Sequence, residues 1–204
     1  SYTQAITLKP NYAEAHNNLG VTLKEQGRLD EAEESCRQAI TLKPDYAKAH
    51  GNLGVILKEL GRLKDAEASY RKAITLKPDY ADVYFNLGNM LKELGRLGEA
   101  LTSCRQAITL KPDYAEAHNN LGVTLKELGK LDEAEASYRK AITLKPDFAE
   151  VHYNLGNTLK EEGRLDEAEA SYRKAITLKP DFVDGARNLV KLPVGQLDSD
   201  TLDL

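Results

Sequence analysis

The sequence is short of the residues that mark several protein classes. Its 204 residues include two cysteines and no tryptophan, and no stretch of about 18 apolar residues that would read as a membrane helix. It opens at Ser1 inside a repeating unit, with neither an initiator Met nor a basic and apolar leader, so the expectation is a fragment with no visible signal peptide. A formal net charge of -4 offers no polycationic face to a nucleic-acid backbone. Neither nucleic acid nor a membrane is therefore expected as a partner. Cys36 and Cys104 occupy the same slot of two units that are not adjacent. At roughly 10 Å per helix layer they stand about 20 Å apart, well beyond the Cα limit of about 7 Å for a disulfide. Two buried thiols fit a reducing compartment, and a cytoplasmic location is expected.

What the chain does contain is a period. The pair Lys-Pro ends at Pro10, Pro44, Pro78, Pro112, Pro146 and Pro180, always 34 residues apart. A strict interval of this size marks a repeat array, in which one helical hairpin cannot bury its own apolar face and must stack on its neighbours. With 41% hydrophobic and 29% charged residues the chain can form such a core. The register predicts the second helix of a truncated unit over 1–12 and complete units at 13–46, 47–80, 81–114, 115–148 and 149–182. A capping helix is expected over 183–192 and a tail or linker over 193–204.

Within each unit, a segment such as Ala13 to Gln26 has helical apolar spacing and stops at Gly27, which defines helix A. Helix B starts near Asp30, read as a start signal, runs through Ala32, Cys36, Ala39, Ile40 and Leu42, and is stopped by Pro44. Gly20, Gly54, Gly88, Gly122 and Gly156 interrupt helix A at about 1 kcal/mol each relative to Ala, so close helix contact is their expected reason. Ala32, Ala66, Ala100, Ala134 and Ala168 are the expected opposing surface. Tyr2, Cys36, Tyr70, Cys104, Tyr138 and Tyr172 share one helix B slot, and the two Cys predict thinner packing in units 13–46 and 81–114.

The 34-residue length, the Leu19-Gly20 pair, the small Ala32 and Ala39, and Pro44, each recurring in step, resemble the tetratricopeptide repeat (TPR) family up to about residue 182. His16, His50, His118 and His152, with Tyr84, stand where that family usually has Trp. Ala-His-Asn-Asn-Leu-Gly at 15–20 and 117–122, with Leu-Lys-Glu at 23–25, is most similar to the helical region of O-linked N-acetylglucosamine transferases and of bacterial multi-TPR proteins. The resemblance implies an all-α, right-handed α-solenoid of stacked antiparallel helix pairs, with helix A lining the inner face. It does not make this chain a transferase, because no catalytic region is present.

Two residues after the His slot stand Asn18, Asn52, Asn86, Asn120, Asn154 and Asn188. A carboxamide both donates and accepts, so a ladder of them suits the regular N–H and C=O groups of an extended polypeptide. The resemblance implies the same use, since the transferases of the family hold extended polypeptide on an inner Asn ladder. The alternative is inheritance by duplication, with Asn as a structural or surface residue. Lys24, Lys58, Lys92, Lys126 and Lys160, each followed by Glu, form a second ladder near the end of helix A. Either they complement the helix dipole or they tether acidic side chains of a bound segment. The family's clamp for acidic C-termini wants a basic residue just before the ladder Asn, but that slot reads Asn17, Gly51, Phe85, Asn119 and Tyr153. Phe85 and Tyr153, with Asn89 and Asn157, instead offer a groove surface on which an apolar side chain could anchor.

The four His recur one per unit, a whole layer apart, whereas ligands to one Zn must converge within about 2 Å of the ion. Packing is their expected role. No unique triad or Gly-rich phosphate loop is present, so neither enzymatic activity nor a cofactor is expected. The chain reads as a protein–protein interaction scaffold that binds an extended peptide in a groove lined by helix A. Alternatives are the targeting arm of a larger glycosyltransferase and a scaffold that self-associates end to end. For the latter, Tyr2, Ala5 and Ile6 are the expected open edge, and the Asp- and Leu-rich tail 193–204 a second route into another copy.

Overall fold

The computed structural model describes residues 2–192, apart from the side chains of Thr3 and Ala5. These residues form α1 (Tyr2–Leu8), α2 (Ala13–Glu25), α3 (Leu29–Leu42), α4 (Ala47–Glu59), α5 (Leu63–Leu76), α6 (Ala81–Glu93), α7 (Leu97–Leu110), α8 (Ala115–Glu127), α9 (Leu131–Leu144), α10 (Ala149–Glu161), α11 (Leu165–Leu178) and α12 (Val183–Val190). No strand occurs among the described residues, and the fold is all-α as expected. The chain divides into two compact units: Ser1–Pro112, carrying α1 to α7, and Asp113–Leu204, carrying α8 to α12. The tail 193–204 and the Ala5 side chain, both parts of the self-association expectation, lie outside the described residues. Tyr2 and Leu8 on α1 are exposed.

Glycine and proline set the helix ends. Gly27 has φ +74°; its N–H bonds to the Lys24 carbonyl and the Arg28 N–H to the Leu23 carbonyl, both at 2.9 Å. This pair of bonds is a Schellman motif, whose left-handed residue favours Gly because it has no Cβ. The other end of the hairpin relies on Pro44, which disfavours the α region for the residue before it. Lys43 accordingly sits at φ -143°, ψ 87°, and α3 ends at Leu42. Asp30 lies near the start of helix B as expected: α3 begins at Leu29 after Arg28, no side chain caps it, and Asp30 and Glu31 lie within its first turn, where carboxylates complement the helix dipole.

Each hairpin closes along a stripe at i, i+4 and i+7 of its second helix. In α3 the stripe is Ala32, Cys36 and Ala39, in α5 Ala66, Tyr70 and Ala73, and all six are at most 1% exposed. The helix A glycines face this stripe: at Gly20, Gly54, Gly88, Gly122 and Gly156 the nearest side chain is that of the Tyr or Cys slot, with the carbonyl of the expected Ala close by at Gly20 and Gly88. A Cβ on Gly54 would lie 2.6 Å from the Tyr70 ring, and one on Gly20 would lie 2.6 Å from Cys36 Sγ and 3.1 Å from the Ala32 carbonyl oxygen. The Ala keeps the helices close, and the Gly makes room for the larger side chain beside it.

Within unit 1, the A helices α2, α4 and α6 contact one another in sequence, and within unit 2 α8 contacts α10. The B helices instead splay. Between α3 and α5 lies a cleft of about 430 Å³ with Leu53 of α4 among its lining, and between α5 and α7 an equivalent cleft of about 480 Å³ with Leu87 of α6. In unit 1, a layer whose helices touch lies beside a layer whose helices part, which bends the unit towards its A helices and puts them on the inner face.

Candidate functional site

All six ladder residues, Asn18, Asn52, Asn86, Asn120, Asn154 and Asn188, are half-buried on the A-type helices, as are Lys24, Lys58, Lys92, Lys126, Lys160, Phe85, Asn89, Tyr153 and Asn157. The carboxamides do more than face solvent. Asn52 Nδ2 donates to Asn17 Oδ1 at 2.8 Å, Asn154 Nδ2 to Asn119 Oδ1 at 3.0 Å, and Asn188 Nδ2 to the Tyr153 hydroxyl at 3.2 Å. The acceptor stands 35 residues back each time, in the slot just before the preceding ladder Asn. The sequence suggested that slot as the place of a clamp's missing basic residue and, at Phe85 and Tyr153, as a groove surface, but not as an acceptor for the next ladder Asn. Its signal was the doublet Asn17-Asn18, repeated as Asn119-Asn120.

In unit 2 the network extends into the core. The Tyr172 hydroxyl donates to Asn157 Oδ1 at 2.8 Å, and Asn188 Nδ2 donates to the same oxygen at 2.9 Å. Burial pushes the Tyr172 phenol up to about 12, so it remains a donor at neutral pH. Tyr153 packs edge-on against Phe182 with ring centroids 4.9 Å apart, and lies 5.9 Å from the Tyr172 ring. Tyr153 and Asn157 are therefore engaged within the fold as well as placed on the A-helix face.

Lysines of the second ladder reach the next hairpin. Lys24 pairs with Glu59 at 3.7 Å, Lys58 with Glu93 at 2.7 Å and Lys126 with Glu161 at 2.6 Å. Neither sequence-level reading anticipated these bridges, because the partner again lies in the following unit. Pairs this exposed contribute about 0.2–1 kcal/mol each. Lys92 and Lys160 lie in the last turns of α6 and α10.

The histidines have a separate task. Nε2 of His16, His50 and His152 lies 3.0 Å from the carbonyl oxygen of Pro10, Pro44 and Pro146 respectively. A carbonyl only accepts, so Nε2 carries the hydrogen and the ring anchors the turn that precedes its own helix. Among the described residues, no group of three or more His, Cys, Asp or Glu could hold a metal ion, and no helix is long and apolar enough to cross a membrane. On the B helices, hydrogen bonds from Arg96 hold the Glu67 carboxyl below its usual range, and those from Arg164 do the same for Glu135. These arginines tie successive hairpins together, at 2.6 Å from Arg96 to Glu67 and 2.6 Å from Arg164 to Glu135.

Comparison with known proteins agrees with this architecture. The family profile described as "TPR repeat" matches residues 56–95, 88–129 and 124–163, and that described as "Tetratricopeptide repeat" matches 13–46 and 149–182. No curated protein sequence matches the chain. Among solved structures, YrrB, described as a TPR protein with an unusual peptide-binding site, is 25% identical with a TM-score of 0.75, covering 92% of this chain and 97% of that one. PilF of Pseudomonas aeruginosa is 25% identical with a TM-score of 0.79, over 85% of this chain and 79% of its own. A thermophilic TPR protein of Thermus thermophilus is 28% identical with a TM-score of 0.66, over 87% of this chain and 97% of its own. With profiles matching well over half of its length on the helices just described, the chain belongs to the tetratricopeptide repeat family.

Proposed function

We propose that the A-helix face holds an extended polypeptide segment through its carboxamides. The tetratricopeptide repeat fold supports a protein–protein interaction scaffold with a protein or peptide partner. The observation that carries the finer reading is the recurrence of a half-buried Asn at one slot of the A helices, the layer whose members contact one another within each unit. A carboxamide has two N–H donors and an oxygen with two lone pairs. After Asn52 and Asn154 each donate one hydrogen bond to the preceding helix, each retains a second N–H and its carbonyl oxygen for a guest. The bridge also holds the side chain in one orientation, which lowers the entropy lost on binding. The description of YrrB as having a peptide-binding site supports a peptide as the guest.

Binding of an array of unstructured peptides to the purified chain tests this reading. Asn86→Ala should weaken the best binders by about 1–3 kcal/mol, the cost of leaving a buried main-chain group unpaired, with the helical spectrum intact. Unchanged affinity in a folded variant would count against the ladder as the binding element.

A further inference from the structure

The network that closes unit 2 is missing one member in unit 1. Three repeat periods before Tyr172, Asn157 and Asn188 stand Tyr70, Val55 and Asn86. In unit 2 the oxygen of Asn157 accepts from both the Tyr172 hydroxyl and Asn188 Nδ2. Val55 has no polar atom, so the same two donors have no acceptor between them. Among the described residues, neither the Tyr70 hydroxyl nor the Asn86 carboxamide has a hydrogen-bond partner. Gly51 deepens the vacancy: it occupies the slot whose side chain accepts from the ladder Asn elsewhere, as Asn17 does for Asn52.

A site exists around these orphaned groups. Tyr70, Asn86, Val55, Lys58, Glu59 and Asn89 line a cleft of about 220 Å³, well above the ~10–15 Å³ needed for one water. Tyr70 as a whole is only 1% exposed, but its hydroxyl opens onto the cleft, where a guest acceptor can take the place of water. Tyr138 differs. Its hydroxyl is also unpaired, but it is sealed within the core, whereas Tyr70 borders open space.

We propose that this cleft binds a main-chain carbonyl oxygen of an extended polypeptide, which accepts from the Tyr70 hydroxyl and Asn86 Nδ2 as Asn157 Oδ1 does in unit 2. The assignment rests on the groove reading above and locates one subsite within it. A neutral carbonyl fits better than a carboxylate, because Glu59 lines the cleft and Lys58, its cation, is paired with Glu93 at 2.7 Å. Burial, followed by Glu59 and Glu93, pushes the Tyr70 phenol up, so it stays a protonated donor. The same carboxylates disfavour an anionic guest.

The test is a titration of the ¹⁵N-labelled chain with N-acetyl-triglycine N-methylamide, which carries main-chain amides and no side chains. The Asn86 side-chain amide signal should move saturably, with affinity about fivefold weaker in Tyr70→Phe, the loss of one neutral hydrogen bond. Val55→Asn supplies the internal acceptor and should abolish the response. If Val55→Asn fails to fold, Tyr70→Phe decides alone, since it keeps the ring. An Asn86 signal that stays still while Asn18 and Asn52 move overturns the subsite and leaves the groove reading intact. If no ladder amide moves, both are overturned. An equal response to acetate overturns the choice of a neutral carbonyl.

Discussion

Asn52 donates its side-chain amide to Asn17, 2.8 Å away on the preceding A helix, and Asn17 is fully buried. A ladder residue is therefore also a structural bridge where the slot behind it can accept. Asn86, with Gly51 behind it, is not. Asn17→Ala should lower unfolding free energy by about 1–3 kcal/mol by leaving a donor unpaired next to a new cavity, whereas Asn86→Ala should change it by no more than about 0.5 kcal/mol. Urea titrations of the two variants check the contrast. Equal losses would show that the bridge contributes nothing to stability.

The glycines of helix A should not tolerate alanine equally. Ala gains about 1 kcal/mol of helix propensity over Gly. At Gly54 the new Cβ would sit 2.6 Å from the buried Tyr70 ring, but at Gly88 it would sit 3.1 Å from Cys104 Sγ and 3.5 Å from the Ala100 carbonyl oxygen. Gly54→Ala should therefore destabilise by about 1–3 kcal/mol, and Gly88→Ala should stay within about 1 kcal/mol of the parent. Thermal melts that reverse this order would mean that the Tyr70 ring can move aside.

Gly61 poses a backbone problem. Its φ is +75° and an added Cβ would meet nothing within 4 Å, so any cost of a side chain is purely conformational. Gly61→Ala should cost about 1–2 kcal/mol, and Gly61→Asn less, because Asn enters the left-handed region more readily. Equal stabilities of the two variants would contradict that account.

Burial pushes the Cys36 thiol from 9.0 up to about 12. Its folded value is above its unfolded one, so the native state keeps the proton that the unfolded chain loses. Stability is unaffected by this thiol below about pH 8, then falls as the pH rises from 9.0 towards about 12. Cys36→Ala should flatten that part of the stability–pH curve. In the parent, thiol reagents at about pH 8 should label Cys36 only as fast as the hairpin opens. Rapid native labelling would refute the buried, protonated state.

The period, the helix boundaries and the role of each punctuating residue were legible in the linear chain, because they depend on short-range physics. A Gly that must adopt positive φ and a Pro that ends a helix act on residues within one turn of themselves. The recurring Asn marked one slot of helix A in the linear chain, whereas helix A as the inner face was implied only by the family resemblance. The sequence by itself also showed that Gly20 and its equivalents mark close contact, but not that the nearest side chain is Cys36 or Tyr70. That choice depends on how far side chains reach across a packed hairpin.

Only the tertiary structure decided what each ladder residue does. Asn52 and Asn86 are the same residue type in the same slot, yet one is bridged and the other has its carboxamide free. The difference lies 35 residues upstream, in Asn17 against Gly51. Val55 and Asn157 likewise share a slot, and only the geometry around Tyr70 and Tyr172 shows that one leaves a cleft where the other closes a hydrogen-bond network. A repeat makes its units look equivalent in sequence. Hydrogen bonds between stacked units require a donor and an acceptor at the same junction, so a change on either side is enough to turn a structural carboxamide into an unpaired one.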